Sequence, residues 1–267
     1  MRRLSRIEER FGELRIEKRA AVIPYLTAGF PSLDTSERIF RALAEAGSDI
    51  IEVGIPFSDP LADGPTIQRS SQMALSQGVT TGDALGMIGR LRETLDSPLV
   101  VMTYYNLFYA YGLKRFVADA EKVGVDGVIV PDLPPEEAGD WLKAASGKLD
   151  TIFLLAPTST NDRIEKVALA SKGFIYCVSL TGITGVRDEL SLVLPDFIRR
   201  VRSKTDKPLA VGFGISTSEQ AKEVAGIADG VIIGSALIDV INREKTQKEQ
   251  VDKAKGFIED IRRALGG

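Results

Sequence analysis

The chain has 267 residues, a net charge of −3 and no histidine. Without histidine there can be no Ser-His-Asp triad, Cys-His pair or histidine-ligated zinc, so other side chains must carry any acid–base chemistry. The near-neutral charge gives no basic surface for nucleic acid, and no apolar run reaches the roughly 20 residues of a membrane helix. The single cysteine, Cys177, cannot form an internal disulfide, so a cytoplasmic location is expected.

The first predicted element is an amphipathic helix at the N-terminus. Leu4, Ile7, Phe11 and Leu14 follow one another at steps of three, four and three residues, which places them on one helical face. The many acidic residues around them and the short apolar stretch distinguish this segment from a signal peptide.

Candidate strands then alternate with helical segments. The strands are predicted at 20–28, 49–54, 98–104, 126–132, 150–156, 173–179, 208–214 and 229–235. The helical segments are predicted at 34–46, 80–95, 112–123, 135–148, 160–171, 194–203, 216–225 and 247–265. Most strands are continuous apolar runs, which is typical of parallel strands covered on both faces. Eight such units in about 250 residues predict a single (β/α)8 TIM barrel domain over 1–267. The alternative, an open doubly wound sheet, would usually show a glycine-rich dinucleotide turn after its first strand.

A glycine followed closely by an aspartate recurs at 47–49, 124–126 and 226–229, each time just before or at the start of a strand. The glycine is expected to end a helix and the aspartate to open the next strand. Residues at the end of a barrel where the strands begin usually contribute to stability, so no catalytic role is assigned to these aspartates.

The strongest candidate for a catalytic group lies in the second strand. An unpaired carboxylate is costly in a buried strand, which favours a site role for Glu52, although a salt bridge beneath a helix would also satisfy it. The loop that follows contains Asp59 and Asp63 and is stiffened by three prolines in ten residues. Turn aspartates are common, but a stiff acidic loop beside a buried glutamate favours a second carboxylate in the site.

Two glycine-containing turns predict a phosphate site. They lie at 212–216, after the seventh strand, and at 234–236, after the eighth. Barrels of this class hold phosphate at these two strand ends, where backbone N–H groups and a short helix starting near Ser235 would face the anion. Tight turns without a ligand are the alternative interpretation.

The segment after the sixth strand predicts a mobile loop. Residues 179–190 are polar and rich in glycine, which fits a lid over bound substrate or an ordinary surface loop. Just before it, only one of the neighbours Tyr176 and Cys177 can face the barrel axis. A lone cysteine in a strand is usually core packing, so Tyr176 is expected in the site.

Together these segments resemble the tryptophan synthase α-subunit family over essentially the whole chain. The most specific match is EVGIPFSDPLADGPTIQ at 52–68. Further matches are PYLTAGFP at 24–31, YYNLFYAYG at 104–112, DGVIVPDLPPEE at 126–137, LTGITG at 180–185, GFGIS at 212–216 and GSA at 234–236. The resemblance implies a lyase that cleaves indole-3-glycerol phosphate to indole and glyceraldehyde 3-phosphate, with no cofactor or metal in this chain. Indole would pass to a β subunit that carries pyridoxal phosphate, in an α2β2 heterotetramer.

The resemblance also implies roles for particular residues. Glu52 would be the catalytic acid–base group and Asp63 the second catalytic carboxylate. The substrate-binding residues would be Tyr25, Met102, Tyr176, Thr184 and Phe213, and the phosphate-binding residues would be Gly185, Gly214, Gly234 and Ser235. The stretches 56–63 and 131–135 match loops that face the β subunit.

Other functions stay open on the sequence alone. A stand-alone lyase that releases free indole would differ only in needing no partner. Another phosphosugar-binding barrel enzyme, such as an isomerase or epimerase, would take a substrate without an indole ring. A non-catalytic activator of a β partner is disfavoured because both carboxylates are present.

Overall fold

The computed structural model describes residues 4–179, 187–212 and 214–266, with the backbone alone for 187–192. The strands in these ranges are β1 (Ala21–Thr27), β2 (Ile51–Gly54), β3 (Leu99–Met102), β4 (Gly127–Ile129), β5 (Asp150–Ile152), β6 (Leu154–Leu155), β7 (Ile175–Val178), β8 (Leu209–Gly212) and β9 (Gly230–Ile233). All strand pairs are parallel, and the strands form one sheet in the order β5-β4-β3-β2-β1-β9-β8-β7-β6. This is a nearly closed barrel, as predicted.

Helices surround the barrel and connect its strands. They are α1 (Arg6–Glu17), α2 (Leu33–Glu45), α3 (Pro65–Ser76), α4 (Thr81–Arg92), α5 (Tyr105–Tyr111), α6 (Leu113–Lys122), α7 (Gly139–Ala145), α8 (Asn161–Ala170), α9 (Arg187–Arg202), α10 (Ser218–Ala225), α11 (Ser235–Asn242) and α12 (Gln247–Ala264). Helices α3 and α5 were not predicted, whereas α11 begins where a short helix was expected. Within the described ranges, no helix is both long and apolar enough to span a bilayer.

The predicted fifth strand, 150–156, is wrong in one respect, because the chain forms two strands there. β5, before Phe153, pairs with β4, whereas β6, after Phe153, pairs with β7. The backbone N–H of Phe153 donates to the Ser171 hydroxyl instead of to a strand, while its carbonyl accepts from Tyr176. The barrel therefore closes within this one segment.

The N-terminal helix is confirmed, but its predicted apolar face is one residue too long. The helix begins after Ser5, whose hydroxyl caps its first turn. Ile7, Phe11 and Leu14 are buried, whereas Leu4 lies before the helix and is 56% exposed. A residue outside the helix does not follow the helical period, which explains the exposure of Leu4.

Helix α1 covers the end of the barrel where the strands begin. The side chain of Ile7 fills the space beside Gly127 and Gly173, where a β-carbon would come within about 3 Å of it. The hydroxyl of Ser5 donates to the carboxylate of Asp150 over 2.5 Å. The helix is thus fixed to segments from both halves of the chain.

The three recurring aspartates serve this same end of the barrel. Each accepts a hydrogen bond from a backbone N–H of an adjacent strand and pairs with an arginine. The partners are Val22, Arg10 and Arg19 for Asp49, Leu99 and Arg92 for Asp126, and Leu209 and Arg202 for Asp229. These contacts tie each strand entrance to an outer helix or to the segment before β1, in agreement with the expected stabilising role.

We expect Asp49→Ala to lower the free energy of unfolding by about 3–5 kcal/mol, because a buried ion pair loses one partner. The Asp49 side chain is fully buried, and Arg19, at 6% exposure, would keep only Glu17, a partly exposed partner, to compensate its charge. Urea denaturation measures the change. Asp96→Ala is the control, since Asp96 is fully exposed and lies 3.8 Å from Arg6. Equal stability of the two variants would contradict the assignment.

Candidate active site

A cavity of about 150 Å³ opens at the carboxyl ends of the barrel strands. Eight of the eleven predicted site residues line it: Tyr25, Glu52, Asp63, Met102, Tyr176, Gly214, Gly234 and Ser235. The other three, Thr184, Gly185 and Phe213, lie outside the described residues, as does most of the predicted lid. Of the remaining lining residues, Ile215, Ser216 and Ala236 lie in the two predicted phosphate turns, whereas Ile67, Ile232 and Asp239 were not predicted.

Glu52 lies within β2 and projects into this cavity. Its neighbours in register are Tyr25 on β1 and Val100 on β3. The residue is 1% exposed, and both of its carboxylate oxygens are buried without a hydrogen-bond partner, so the alternative of a structural salt bridge does not hold. Burial, followed by the nearby charge of Asp63, raises the pKa of Glu52 to about 8.

Asp63 reaches the cavity from the end of the loop that precedes α3. Its Oδ1 atom is buried without a hydrogen-bond partner. Burial raises the pKa of Asp63 to about 6, and a hydrogen bond from Tyr104 acts in the opposite direction. Asp59 is exposed, and its carboxylate accepts a hydrogen bond from the hydroxyl of Ser58. Of the two loop aspartates, only Asp63 belongs to the cavity.

Two buried tyrosines form walls of the cavity by crossing glycines of adjacent strands. Tyr25 lies over Gly54 of β2, and Tyr176 lies over Gly212 of β8; a β-carbon at either glycine would overlap the tyrosine hydroxyl. Burial raises the pKa of both tyrosines well above the usual value, so they are neutral hydroxyls near pH 7. Cys177 faces away from the cavity in the core, where burial raises the pKa of its thiol to about 12.

The part of the cavity beside Tyr25 and Gly234 is suited to an anion. Helix α11 starts there, and its N-cap, Gly234, provides no capping side chain, so the first N–H groups of the helix lack a side-chain partner. Gly214 has a φ of +81°, a left-handed conformation that favours glycine. No lysine or arginine is among the described lining residues. An anion at this position would be held by backbone N–H groups and the helix dipole.

The site combines a carboxylic acid with a carboxylate. Near neutral pH, Glu52 retains its proton and can donate it, whereas Asp63 is largely ionised and can accept a hydrogen bond. In the described parts of the chain, no three histidine, cysteine, aspartate or glutamate side chains are arranged to hold a metal ion.

Comparison with known proteins identifies the family. A family model described as "Tryptophan synthase alpha chain" matches residues 11–265. The chain belongs to this family. The tryptophan synthase alpha chain of Citrifermentans bemidjiense is 48% identical over 265 residues, which cover 98% of each chain. That of Caldanaerobacter subterraneus subsp. tengcongensis is 44% identical over 263 residues, which cover 98% of this chain and 100% of the relative.

Solved structures of the tryptophan synthase alpha chain family have the same fold. Tryptophan synthase from Mycobacterium tuberculosis matches with a TM-score of 0.90 and 38% identity, over 98% of this chain and 99% of that chain. The alpha subunit from Legionella pneumophila str. Paris matches with a TM-score of 0.91 and 33% identity, over the same shares. The family resemblance and the predicted barrel are thereby confirmed.

The raised pKa of Glu52 predicts a stability that falls as pH rises. Between pH 4.5 and about 8, this glutamate ionises in the unfolded chain but keeps its proton in the folded protein. Glutamine does not titrate. The stability of Glu52→Gln relative to the wild type should therefore increase by up to roughly 1.4 kcal/mol per pH unit across this range and stay constant below it.

Urea denaturation at several pH values between 4 and 9 measures this difference. Glu137→Gln is the control for the substitution itself, because Glu137 is an exposed glutamate that does not line the cavity. A pH-independent difference for Glu52→Gln would show that Glu52 does not have a raised pKa.

Proposed function

We propose that this chain catalyses the retro-aldol cleavage of indole-3-glycerol phosphate to indole and glyceraldehyde 3-phosphate, the α reaction of L-tryptophan biosynthesis. Membership of the tryptophan synthase alpha chain family supports an enzyme of the lyase class. The observation that carries the specific reaction is the pair Glu52 and Asp63, which face one cavity. Both carboxylate oxygens of Glu52 and Oδ1 of Asp63 are buried without a hydrogen-bond partner.

Cleavage requires a proton at indole C3 and removal of a proton from the glycerol hydroxyl. Glu52 can perform both steps in turn, because its carboxyl group is protonated near neutral pH and becomes a base after donation. Its two unpartnered oxygens are free to contact the substrate. Protonation at C3 breaks the aromaticity of the pyrrole ring and prepares the bond to the side chain for cleavage.

Asp63 has an electrostatic role in this mechanism. When C3 is protonated, the ring becomes a protonated indolenine, a cation whose N–H is more acidic than that of indole. A fixed carboxylate beside that N–H stabilises the positive charge that develops. Because burial lowers the local dielectric, this interaction is stronger than it would be in water.

The remaining lining residues divide between the two ends of the substrate. Tyr25, Met102 and Tyr176 supply the flat, mainly apolar surface that an indole ring needs. Gly214, Gly234 and Ser235 would hold the phosphate at the start of α11, and this remote binding energy positions the reacting carbons. Thr184, Gly185 and Phe213 would complete the site, as the family resemblance implies.

The proposal includes a partner chain. One barrel domain in the cytoplasm would perform the α reaction without a cofactor of its own, and a tryptophan synthase β chain with pyridoxal phosphate would consume the indole in an α2β2 complex. The stretch 56–63 is a candidate docking surface, since Leu61 is 95% exposed at its tip. Tyr109, on α5 beyond β3, is 71% exposed. Exposed large apolar side chains on the catalytic side of a barrel favour a protein contact.

Glu52→Gln should reduce indole formation from indole-3-glycerol phosphate by about 10²- to 10⁴-fold, since the amide cannot exchange a proton. Released indole is quantified by chromatography, and circular dichroism shows whether the variant is folded. Glu137→Gln, an exposed glutamate variant, should keep full activity. Near-normal turnover by Glu52→Gln would refute this mechanism, and turnover of a phosphosugar without an indole ring would favour the isomerase or epimerase alternative.

Leu61→Ser should weaken binding to the β chain of the same organism about tenfold, because one apolar side chain no longer becomes buried. Sedimentation velocity of the mixed chains measures the affinity, and indole formation with and without the β chain measures activation. Leu169→Ser is the control, as Leu169 is 85% exposed on α8. Equal affinities would exclude this surface, and no binding by the wild type would favour a stand-alone lyase.

A further inference from the structure

The end of β3 holds the loop that carries Asp63. The backbone N–H of Ile55 donates to the carbonyl of Met102 over 2.9 Å. The hydroxyl of Thr103, a residue that is 2% exposed, donates to the carbonyl of Ile55 over 3.0 Å. These two bonds fix the first residue of the loop after β2, but they do not reach its far end.

Tyr104 is the next residue along and contacts the loop at two further points. Its ring stacks on Phe57, with centroids 5.2 Å apart and planes at 29°. Its hydroxyl oxygen accepts the backbone N–H of Ala62 over 2.9 Å. Tyr104 itself is 4% exposed, so its own position is set by packing. One rigid side chain therefore joins the beginning of the loop to the residue before Asp63.

The hydrogen of this hydroxyl is left for a second partner. A tyrosine oxygen that accepts a backbone N–H can still donate its own proton. The hydroxyl of Tyr104 acts on the carboxyl group of Asp63, the residue after Ala62, and lowers its pKa against the effect of burial.

The other groups that face Asp63 do not stabilise its charge. Glu52 on β2, Tyr25 on β1 and Tyr176 on β7 are protonated groups whose pKa values the charge of Asp63 helps to raise. No cationic side chain is among the described residues that line the cavity. The hydroxyl of Tyr104, two residues beyond the end of β3, is thus the group that favours the charged carboxylate.

We propose that Tyr104 is a positioning residue for Asp63. Its hydroxyl holds the loop backbone at Ala62, directly before Asp63, and its ring holds the loop at Phe57, so that the carboxylate is kept at the cavity. This inference depends on the proposed function, because it assigns Asp63 the same role in the same reaction.

Tyr104→Phe tests the role of the hydroxyl while retaining the ring and its stacking on Phe57. For cleavage of indole-3-glycerol phosphate, we expect kcat to fall about 10- to 100-fold and KM to change little, as for loss of a single transition-state interaction. In the wild type, the acidic limb of the pH profile should follow Asp63 at about 6 and the basic limb Glu52 at about 8. The variant's acidic limb should move upward by about one unit, with the basic limb nearly unchanged.

Tyr111→Phe is the matched control. The Tyr111 hydroxyl also donates to a carboxylate, that of Asp119, over 2.8 Å, but this pair lies on the outer helices α5 and α6. The control should leave both the rate and the pH profile unchanged. A rate and an acidic limb that are unchanged in Tyr104→Phe would overturn the proposal, even if its thermal stability were lower.

A second measurement separates this proposal from the proposed function. Carboxyl carbons of 13C-labelled aspartate can be titrated by NMR without substrate, and Asp63→Asn identifies the signal of Asp63. We expect the pKa of Asp63 to be higher in Tyr104→Phe than in the wild type. An unshifted pKa refutes the role of Tyr104. Absence of indole formation by the wild type, with the shift present, refutes the proposed function instead.

Discussion

The structure depends on one constraint, which is that two carboxyl groups share the mouth of an apolar barrel without a cation beside them in the described lining. Burying Glu52 without a hydrogen-bond partner costs free energy, and the rest of the fold has to supply it. The extensive apolar core around the strands does so. What the protein gains is a pair of groups whose proton affinities differ although their side-chain chemistry is almost the same, because one group is more deeply buried and the other has a hydrogen-bond donor.

The two ends of the barrel use acidic residues in opposite ways. At the end where the strands begin, Asp49, Asp126 and Asp229 pair with arginines and backbone N–H groups. At the end where the strands finish, Glu52 and Asp63 leave buried oxygens unpaired. The first arrangement makes charge a source of stability, and the second keeps it available for chemistry. The acidic residues that stabilise the fold and those that are available for chemistry thus lie at opposite ends of the strands. The paired residues at one end can offset the cost of the unpaired carboxyl groups at the other.

Much of this could be predicted from the sequence, because buried parallel strands and their order leave strong local patterns. The eightfold alternation and the position of Glu52 near a strand end are of this kind. Alternation alone did not decide whether Glu52 or its neighbours face the axis, since both faces of such a strand are apolar. The break at Phe153 depends on which strand lies on each side, which is a property of the closed barrel. Asp59 and Asp63 lie in the same loop, and the residues alone did not distinguish them; the family resemblance indicated Asp63, and the path of the loop brings only Asp63 to the cavity. Tyr104 lay within a recognised motif, but its contacts with the loop after β2 are tertiary and leave no periodic signal.

The position of helix α1 against the barrel has a consequence for how the chain folds. Ser5 bonds to Asp150, a partner 145 residues further along the chain, and Ile7 packs beside Gly173. Helix α1 therefore has no complete binding surface until the chain has been synthesised as far as Gly173. Contacts this distant in sequence close late and slow folding, since the chain between them must first be ordered. During synthesis, the apolar face of α1 remains without its native partners over this interval, a period in which a nascent chain is open to aggregation or to a chaperone.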